Sequence, residues 1–531
     1  MPIASRTCKS DGMTISSFAG IIRTHGRERK DLPAIEFEGN TTTFGQLDET
    51  SNRLATALAS IGVGAEDRVA FLDKNGPEFF EVTFALAKLN AVVVAINWRL
   101  APTEMAQIAN DAKAKVLIVG SEFVPHVEKV EDDLESVATI ISIGDHARWE
   151  NYERFLGAHP ADDPGAEPTG SDVAIQLYTS GTTGLPKGVM LTNDNFFSGV
   201  MNVTESWKFD KDSVNIAVMP MFHIAGSGWS MVGLYHGCRT VVLRDVDPAR
   251  ILQVIPEFGV TNALFVPAVI QFLLITPGVD ETDFSTLRAI VYGASPITDS
   301  VLIKAMEVFG CGFIQVYGMT ETTGAIFQLD PEDHDPVNRP ELLRSCGKPY
   351  PWVEMRLVDL DTENDVPVGT VGELWTRSPQ NMKGYWGNDE ATKATIDSDG
   401  WLKTGDAGYC DENGFLFLHD RVKDMIVTGG ENVYPAEVEN VLAKHPEVAD
   451  VAVVGVPDDK WGEAVKAVVV KREGSDVTDK DLITFAREHL AGFKLPKTVD
   501  FAEVLPRNPS GKLLKREIRA PYWEGAARQI G

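Results

Sequence analysis

The sequence has few cysteines and a deficit of positive charge. Its 531 residues include five cysteines with no Cys-x-x-Cys pair, which favours free thiols in a reducing compartment over a disulfide framework. Lysine and arginine together number 49 against 77 aspartate and glutamate residues, so the formal net charge is −28. This charge argues against nucleic acid as the main partner and against electrostatic adhesion to anionic lipid. It leaves room for a small anionic substrate bound by local donors and a metal ion.

Long apolar runs are also missing. No run reaches the roughly 18–20 residues that a membrane-spanning helix needs, and residues 1–16 lack the apolar core of a signal peptide. We therefore expect a cytoplasmic protein without a transmembrane segment, and peripheral membrane contact stays open. The apolar fraction of 44% is ordinary for a globular protein, and the length predicts two or more domains.

A glycine-rich stretch at 178–188 is the most informative part of the chain. Residues 172–177 before it form a short apolar run typical of a buried strand, and Asn193 and Asp194 beyond it are candidate caps of a helix. The stretch combines three glycines, four hydroxyl side chains and Lys187, so its backbone can approach a polyanion and offer it donors and a positive charge. Its spacing does not fit a Walker A loop, and on its own it would also fit a flexible surface loop.

The flanking regions alternate between strand and helix patterns, which predicts a layered α/β domain with parallel strands. The predicted strands include 68–72, 91–96, 115–119, 261–266, 287–292 and 312–317. Because ligands bind at the carboxyl ends of strands in open α/β sheets, we expect the strand ends at Tyr178, Tyr292 and Tyr317 to face one crevice.

From about residue 340 the pattern changes to short β segments and turns, which predicts a small β-barrel-like unit. A charged run follows at 420–424. The residues beyond it have the strand and helix patterns of a small α+β domain. We therefore place a domain boundary at the charged run.

The glycine-rich stretch resembles the phosphate loop of the acyl-adenylate-forming superfamily, which contains acyl-CoA synthetases, firefly-type luciferases and peptide-synthetase adenylation domains. Five further motifs of that superfamily occur in its order, at 220–223, 292–296, 315–321, 401–406 and 506–512. The chain is most similar to bacterial fatty-acid–CoA ligases. The resemblance implies a large ATP- and acyl-binding domain of layered α/β sheets at 1–420, a hinge at 421–424, and a small mobile C-terminal domain at 425–531 that carries the catalytic lysine.

The resemblance also implies contacts to ATP and magnesium. Tyr317 is implied to stack on adenine and Thr320 to touch the α-phosphate. Glu321 is implied to bind the magnesium ion that bridges the phosphates, with Thr179 near that metal. Carboxylate oxygen is the ligand type that magnesium prefers. The other implied contacts in this part of the chain are Ser180, Gly181, Thr182, Thr183, Gly184, Lys187, Gly293, Ala294, Ser295, Gln315 and Gly318.

Residues nearer the C-terminus are implied to serve ribose binding, the hinge and catalysis. Asp406 matches the carboxylate that holds both ribose hydroxyls, and Arg421 matches a second contact to ribose and phosphate. Lys423 falls at the hinge position, and Lys512 coincides with the mobile catalytic lysine. The implied CoA-binding face comprises Gly429, Gly430, Glu431 and Asn432.

Several of these residues have simpler interpretations when they are taken alone. His223 is implied to gate the acyl tunnel and the CoA channel, yet a histidine after a phenylalanine is more often structural. Thr320 and Glu321 could cap a helix, and Asp406 could be a turn residue. The order of the motifs along the chain favours the functional interpretation.

The implied reaction is the AMP-forming ligation of a carboxylic acid to CoA, driven by ATP with magnesium. The acid first becomes an acyl-adenylate, and the CoA thiol then displaces AMP. We expect a medium- or long-chain fatty acid as substrate and a homodimeric enzyme. Transfer to a carrier protein, and an aryl or steroid-derived acid, stay open as alternatives. A catalytically inactive relative that acts as an adenylate sensor or scaffold would be expected to lack Lys512, Glu321 or Asp406, and all three are present.

Overall fold

A computed structural model describes residues 9–10, 13–179, 186–199, 203, 206–421, 424–428, 431–458, 460–507 and 513–524. Its helices are α1 (Phe18–Glu28), α2 (Phe44–Ser60), α3 (Pro77–Leu89), α4 (Pro102–Asp111), α5 (Val124–Val127), α6 (Tyr152–Gly157), α7 (Asn193–Phe197), α8 (Ile224–Tyr235), α9 (Pro248–Phe258), α10 (Pro267–Ile275), α11 (Asp299–Phe309), α12 (Asp389–Thr395), α13 (Pro435–Leu442), α14 (Asp479–Arg487) and α15 (Lys515–Trp523). In the described part of the chain, none of these helices combines the length and the apolarity that a membrane crossing requires.

The strands are β1 (Lys9–Ser10), β2 (Met13–Thr14), β3 (Pro33–Phe37), β4 (Asn40–Thr43), β5 (Arg68–Leu72), β6 (Val92–Ala95), β7 (Val116–Gly120), β8 (Thr139–Ile143), β9 (Glu150–Asn151), β10 (Val173–Thr179), β11 (Lys187–Thr192), β12 (Val214–Ala217), β13 (Arg239–Val242), β14 (Asn262–Phe265), β15 (Ala289–Gly293), β16 (Gly312–Met319), β17 (Gly324–Leu329), β18 (Lys348–Pro349), β19 (Glu354–Val358), β20 (Gly372–Arg377), β21 (Gly384–Tyr385), β22 (Leu402–Cys410), β23 (Leu416–Arg421), β24 (Ile426–Thr428), β25 (Glu431–Val433), β26 (Val448–Asp458), β27 (Gly462–Lys471) and β28 (Thr498–Phe501).

The chain divides into two compact units. The first comprises residues 1–354 and 377–402, and the second comprises residues 355–376 and 403–531. This division assigns 355–376 and 403–420 to the second unit, whereas the sequence analysis grouped them with the N-terminal domain. The hinge at 421–424 stays a prediction, and Lys423 lies outside the described residues.

The first unit contains two large mixed sheets. Sheet A has the strand order β21-β11-β10-β6-β5-β7-β8-β9, and sheet B has the order β18-β17-β16-β15-β14-β12-β13-β3-β4. Parallel strands form the middle of each sheet, and β5, β7 and β15 are buried along their whole length. Buried apolar strands of this kind are typical of parallel sheets covered by helices on both faces.

The strand order divides the three predicted strand ends between two sheets. Tyr292 and Tyr317 lie on β15 and β16, which are adjacent parallel strands of sheet B. Tyr178 lies on β10, which belongs to sheet A. The three strand ends therefore do not share one sheet, and the expectation that they face one crevice stays a prediction.

The start of α7 corrects an expectation, since its N-cap is Thr192 and neither Asn193 nor Asp194. The Thr192 hydroxyl accepts a bond from the Asn195 backbone N–H at 3.2 Å, and the Asn195 side chain accepts one from the Thr192 N–H at 2.9 Å. This reciprocal pair is a capping box. The Asn193 side chain instead accepts a bond from the Phe18 N–H at 3.3 Å, which ties α7 to α1.

The second unit has a four-stranded sheet, β19-β20-β22-β23, and a sheet built from β24 to β28. Strand β26 has buried apolar residues on both of its faces. Val451 and Val453 pack with Leu482 of α14, whereas Ala452 packs with Ile518 of α15. Because successive strand residues point to opposite faces, this alternation places helices on both sides of the sheet.

Candidate active site

The glycine-rich stretch begins in a strand, as the sequence analysis predicted, and ends in a second strand that pairs antiparallel to it. Strand β10 ends at Thr179 and β11 begins at Lys187, and these two residues lie opposite each other. The predicted contacts Ser180, Gly181, Thr182, Thr183 and Gly184 lie outside the described residues. Strand pairing therefore holds together Thr179 and Lys187, the residues on either side of 180–186.

The predicted adenine loop follows β15 and contains a strained residue. Gly293 pairs with Val316 of β16, and a Cβ at Gly293 would overlap the Val316 carbonyl oxygen. Ala294 adopts a left-handed backbone conformation, with φ of 67°, and Ser295 after it is half-buried. A left-handed conformation costs an alanine about 1–2 kcal/mol, and such strain clusters at binding sites.

Strand β16 carries Tyr317, the predicted adenine contact, and the other predicted nucleotide contacts Gln315 and Gly318. The Oε1 atom of Gln315 is buried and has no hydrogen-bond partner within the described residues. The half-buried Tyr317 ring meets Phe327 edge-on, at 5.9 Å between ring centroids. At Gly318 a Cβ would overlap the Gly324 carbonyl oxygen, so this glycine is required by the close approach of two backbone segments.

Thr320 and Glu321 lie in a short 3-10 turn, Thr320–Thr322, that reverses the chain between β16 and the antiparallel β17. No helix follows the turn, so the interpretation of Thr320 and Glu321 as a helix cap does not apply. Thr323, with φ of 53°, completes the reversal. The Glu321 side chain is buried, at 7% exposure.

Residues 379–386, here called the bridging segment, connect Glu321 to the end of the glycine-rich stretch. The Met382 N–H donates to the Glu321 carbonyl oxygen at 2.8 Å, and the Tyr385 hydroxyl donates to Glu321 Oε1 at 2.9 Å. In the same segment, the Trp386 N–H donates to the Gly188 carbonyl oxygen at 2.7 Å. The Lys187 ammonium lies 4.8 Å from the centroid of the Tyr385 ring. The structure therefore brings Lys187 and Glu321 to one tyrosine.

Gln380 of the bridging segment is fully buried and holds the turn from behind. Its Nε2 donates to the carbonyl oxygens of Thr322 at 3.2 Å and Ala325 at 3.0 Å. The Thr323 hydroxyl donates to the Gln380 carbonyl oxygen at 2.6 Å. The sequence analysis missed both Gln380 and Tyr385. A signal for the tyrosine was present, because residues 384–387 read Gly-Tyr-Trp-Gly, an aromatic pair between two glycines.

His223 is the residue before α8, and its environment differs from that of Glu321. Burial, with a contribution from the positive charge of Arg99, lowers the pKa of His223 to about 4, so its imidazole is neutral at pH 7. Its Nε2 is buried without a hydrogen-bond partner in the described part of the chain, and its ring packs on Phe222 at 4.4 Å. Ile224, the next residue, lies beside Gly324 of the turn. The start of α8 therefore borders the Glu321 turn.

The predicted residues of the second unit lie on two strand pairs. Asp406 of β22 lies opposite Arg421 of β23, and Glu431 and Asn432 of β25 lie opposite Thr428 and Val427 of β24. The Thr404 hydroxyl accepts a bond from the Asp406 N–H at 3.1 Å. Gly429, Gly430 and Lys512 lie outside the described residues.

The residues around Glu321 fit a magnesium ion. Within the described residues, no three or more histidine, cysteine, aspartate or glutamate side chains come together so that they could hold a metal ion. Magnesium commonly takes one or two protein carboxylates and completes its shell with phosphate oxygens and water. A single buried carboxylate such as Glu321 matches that pattern.

The sequence profile of the AMP-binding enzyme family matches residues 22–386, and that of the AMP-binding enzyme C-terminal domain matches residues 437–512. The chain belongs to the AMP-binding enzyme family. This confirms the resemblance to acyl-adenylate-forming enzymes and to acyl-CoA ligases, and it identifies the chain as an AMP-forming acid ligase.

Three relatives illustrate the range of acids and acceptors in the family. The chain is 40% identical to the fatty acid–[acyl-carrier-protein] ligase ScoC of Streptomyces coeruleorubidus, over 95% of this chain and 96% of the relative. It is 37% identical to a feruloyl-CoA synthase of Amycolatopsis sp, over 92% and 96%. It is 34% identical to the long-chain-fatty-acid–CoA ligase FadD13 of Mycobacterium tuberculosis, over 90% and 93%.

Two solved structures confirm the fold class, a large N-terminal α/β part and a small C-terminal domain. The anthranilate CoA ligase AuaEII in complex with anthranoyl-AMP aligns with a TM-score of 0.87 and 26% identity, covering 98% of this chain and 100% of that chain. ATP-bound MatB from Rhodopseudomonas palustris aligns with a TM-score of 0.86 and 29% identity, covering 95% and 99%.

Proposed function

We propose that the chain is an ATP-dependent, AMP-forming fatty-acid–CoA ligase. The observation that carries the proposal is the contact of Tyr385 with both the Glu321 carboxylate and the Lys187 ammonium. A metal-binding carboxylate and a cation, contributed by two different sheets, meet at one side chain. A triphosphate with its magnesium ion needs both groups in this proximity, because its charge must be offset on several oxygens.

The residues beside this pair support a nucleotide as the ligand. The buried Gln315 Oε1, which has no partner within the described residues, is an acceptor suited to the exocyclic amine of adenine. Tyr317 offers a half-buried aromatic ring to the base. The strained Ala294 at the end of β15 is typical of a backbone held for binding.

In the first half-reaction the substrate carboxylate attacks the α-phosphorus of ATP and pyrophosphate leaves. Because two anions must approach, the main requirement is positive charge at the phosphates. In the proposal, Lys187 and Lys512 supply that charge from the chain, and Thr320 donates to the α-phosphate. A magnesium ion held by Glu321 and Thr179 would neutralise further phosphate charge when bound.

In the second half-reaction the CoA thiol attacks the acyl carbon of the mixed anhydride and AMP leaves. The second unit offers exposed aromatic rings beside lysines at the predicted CoA face. Trp461 is 43% exposed with the Lys460 ammonium 4.4 Å from its ring centroid, and it precedes Gly462, which pairs with Thr428. Phe493 is 40% exposed, in a short turn that lies against β25. Aromatic rings with nearby cations suit the adenine and the phosphates of CoA.

The choice of a fatty acid rests on two relatives named for fatty acids, one of which is the 40% identical protein. That protein is named for transfer to an acyl carrier protein, so a carrier-protein ligase is the second candidate function. An aryl acid, as in the feruloyl-CoA relative, is the third. The predicted homodimer and cytoplasmic location stay predictions.

The test is a substrate panel with the purified full chain, ATP and magnesium. Medium- and long-chain fatty acids and aryl acids are each offered with CoA or with a phosphopantetheinylated acyl carrier protein. We expect AMP release and a fatty-acyl-CoA product, measured by liquid chromatography and mass spectrometry. Loading of the carrier protein without turnover of CoA would replace the proposal with the second candidate. Release of ADP in place of AMP would contradict both.

A further inference from the structure

We infer that Tyr385 is a positioning residue that sets which oxygen of Glu321 faces the magnesium ion and keeps Lys187 beside it. The inference rests on the proposed function, because it assumes that Glu321 binds the metal. It assigns a task to a residue of the bridging segment that the sequence analysis did not single out.

The backbone of the bridging segment is held without the Tyr385 side chain. Gly384 and Tyr385 form β21, which pairs with Met190 and Val189 of β11. Next to this pair, the Lys383 N–H donates to the Met190 carbonyl oxygen at 3.0 Å. Because these bonds come from the backbone, the Tyr385 hydroxyl is not needed to fix the course of the chain. Its bond to Glu321 is therefore open to a functional interpretation.

The hydroxyl bond selects one oxygen of the carboxylate. A phenol donates one hydrogen, and here it goes to Oε1 of Glu321 at 2.9 Å. The Glu321 backbone is fixed at the same time by the bond from the Met382 N–H. With Oε1 engaged and the backbone fixed, Oε2 is the oxygen left for a metal. Magnesium demands near-ideal octahedral geometry, so a carboxylate held in one orientation binds it better than one that rotates.

The ring of Tyr385 makes the second contact. The Lys187 ammonium at 4.8 Å from the ring centroid is within the range of a cation–π interaction. Tyr385 thus contacts the cation through its ring and the carboxylate through its hydroxyl. The two contacts can be removed separately, since phenylalanine keeps the ring and loses the hydroxyl, whereas leucine loses both.

The chain offers a matched control for the loss of a buried tyrosine–glutamate bond. The Tyr152 hydroxyl donates to Glu81 Oε2 at 2.7 Å, in α6 and α3 of the same unit. Tyr152→Phe removes the same kind of bond without touching Glu321 or Lys187. A general loss of stability would therefore appear in both phenylalanine variants, whereas a loss of metal binding would appear only in Tyr385→Phe.

The experiment titrates Mn²⁺ into the full chain with α,β-methylene-ATP and follows free Mn²⁺ by electron paramagnetic resonance. We expect Tyr385→Phe to weaken Mn²⁺ binding by about 10- to 100-fold, as outer-shell partners of metal ligands do. The affinity for metal-free AMP stays within about twofold of wild type, because the ring beside Lys187 is kept. Tyr385→Leu weakens both Mn²⁺ binding and the affinity for metal-free AMP. Tyr152→Phe binds Mn²⁺ like wild type.

A second measurement is the magnesium dependence of pyrophosphate exchange. Tyr385→Phe is expected to need about 10- to 100-fold more magnesium for half-maximal rate and to reach the wild-type maximal rate at saturation. A lower maximal rate with an unchanged magnesium requirement would overturn the inference. So would Mn²⁺ binding at wild-type affinity in Tyr385→Phe if Glu321→Ala loses it. Wild-type Mn²⁺ binding in Glu321→Ala would overturn the metal assignment of the proposed function and the inference with it.

Discussion

The family resemblance assigns the buried Glu321 and the half-buried His223 to one reaction, but the two side chains are held in opposite ways. Glu321 has a carboxylate oxygen bonded to Tyr385, and its backbone is bonded to Met382. His223 has a buried Nε2 without a partner in the described part of the chain, and its ring rests on Phe222. A fixed carboxylate suits a metal ligand, whereas a ring with an unpaired nitrogen can turn without breaking a bond at that atom. The contrast supports a positioned metal ligand at Glu321 and a gate at His223.

The largest effect is expected from removing the fixed charge. Glu321→Gln keeps the size of the side chain and loses its charge, so we expect the rate of fatty-acid-dependent pyrophosphate exchange to fall by about 10²–10³, equivalent to about 2.7–4 kcal/mol. Glu332→Gln, at an exposed glutamate outside the site, is the control. Pyrophosphate exchange at the wild-type rate in Glu321→Gln would contradict the assignment of Glu321 as a metal ligand.

The support behind Glu321 is tested by Gln380→Leu. The leucine leaves the carbonyl oxygens of Thr322 and Ala325 without their donor, and buried polar groups that lose a partner cost about 1–3 kcal/mol each. We expect the free energy of unfolding to fall by about 3 kcal/mol in chemical denaturation. Gln271→Leu on the exposed side of α10 should change it by less than about 0.5 kcal/mol. If Gln380→Leu and Gln271→Leu lowered the free energy of unfolding by the same small amount, the turn would not need Gln380.

The burial of His223 predicts a dependence of stability on pH. Its pKa is lowered to about 4 in the folded chain from 6.5, so the unfolded chain binds the extra proton between these values. The stability that the folded chain gains while His223 is neutral is therefore fully present above pH 6.5. It is lost as the pH falls to about 4, and its upper limit is about 3 kcal/mol. In His223→Phe the free energy of unfolding should decline less steeply as the pH falls from 6.5 to 4. The decline does not vanish, because burial also lowers the pKa of His236 to about 4. An unchanged decline in unfolding curves between pH 6.5 and pH 4 would contradict the buried, neutral imidazole.

The smallest effect is expected in the adenylation step of His223→Phe. If the ring acts as a gate and not as a base, pyrophosphate exchange should stay within about threefold of wild type at saturating acid, because no proton transfer is lost. The Michaelis constant for the acid or for CoA should change instead. A fall of about 10²-fold or more in the exchange rate would assign His223 a role in proton transfer and erase the contrast with Glu321.

Local patterns were sufficient to predict the elements that surround the site. The apolar runs before Thr179 and Tyr317 predicted β10 and β16, because buried strands leave a short continuous apolar signature. The roles of the predicted site residues stay predictions until the experiments above are done.

Long-range pairing explains what local patterns could not predict. The bridging segment reaches Glu321 because β21 pairs with β11, nearly two hundred residues earlier in the chain. The assignment of β10 to sheet A and of β16 to sheet B likewise depends on strand order. At α7 the error was local, since Asn193 is a good cap by residue type but Thr192 forms the reciprocal pair with Asn195. Residue preference could not rank these neighbours.

The most direct test of the account separates the two half-reactions in Lys512→Ala. The account assigns Lys512 to the phosphate charge of adenylation alone, so fatty-acid-dependent pyrophosphate exchange should fall by about 10²–10³ with ATP binding nearly intact. The same variant, supplied with chemically prepared fatty-acyl-adenylate and CoA in a rapid-quench experiment, should form the thioester at close to the wild-type rate. Equal loss of both half-reactions, or full pyrophosphate exchange in the variant, would contradict the account.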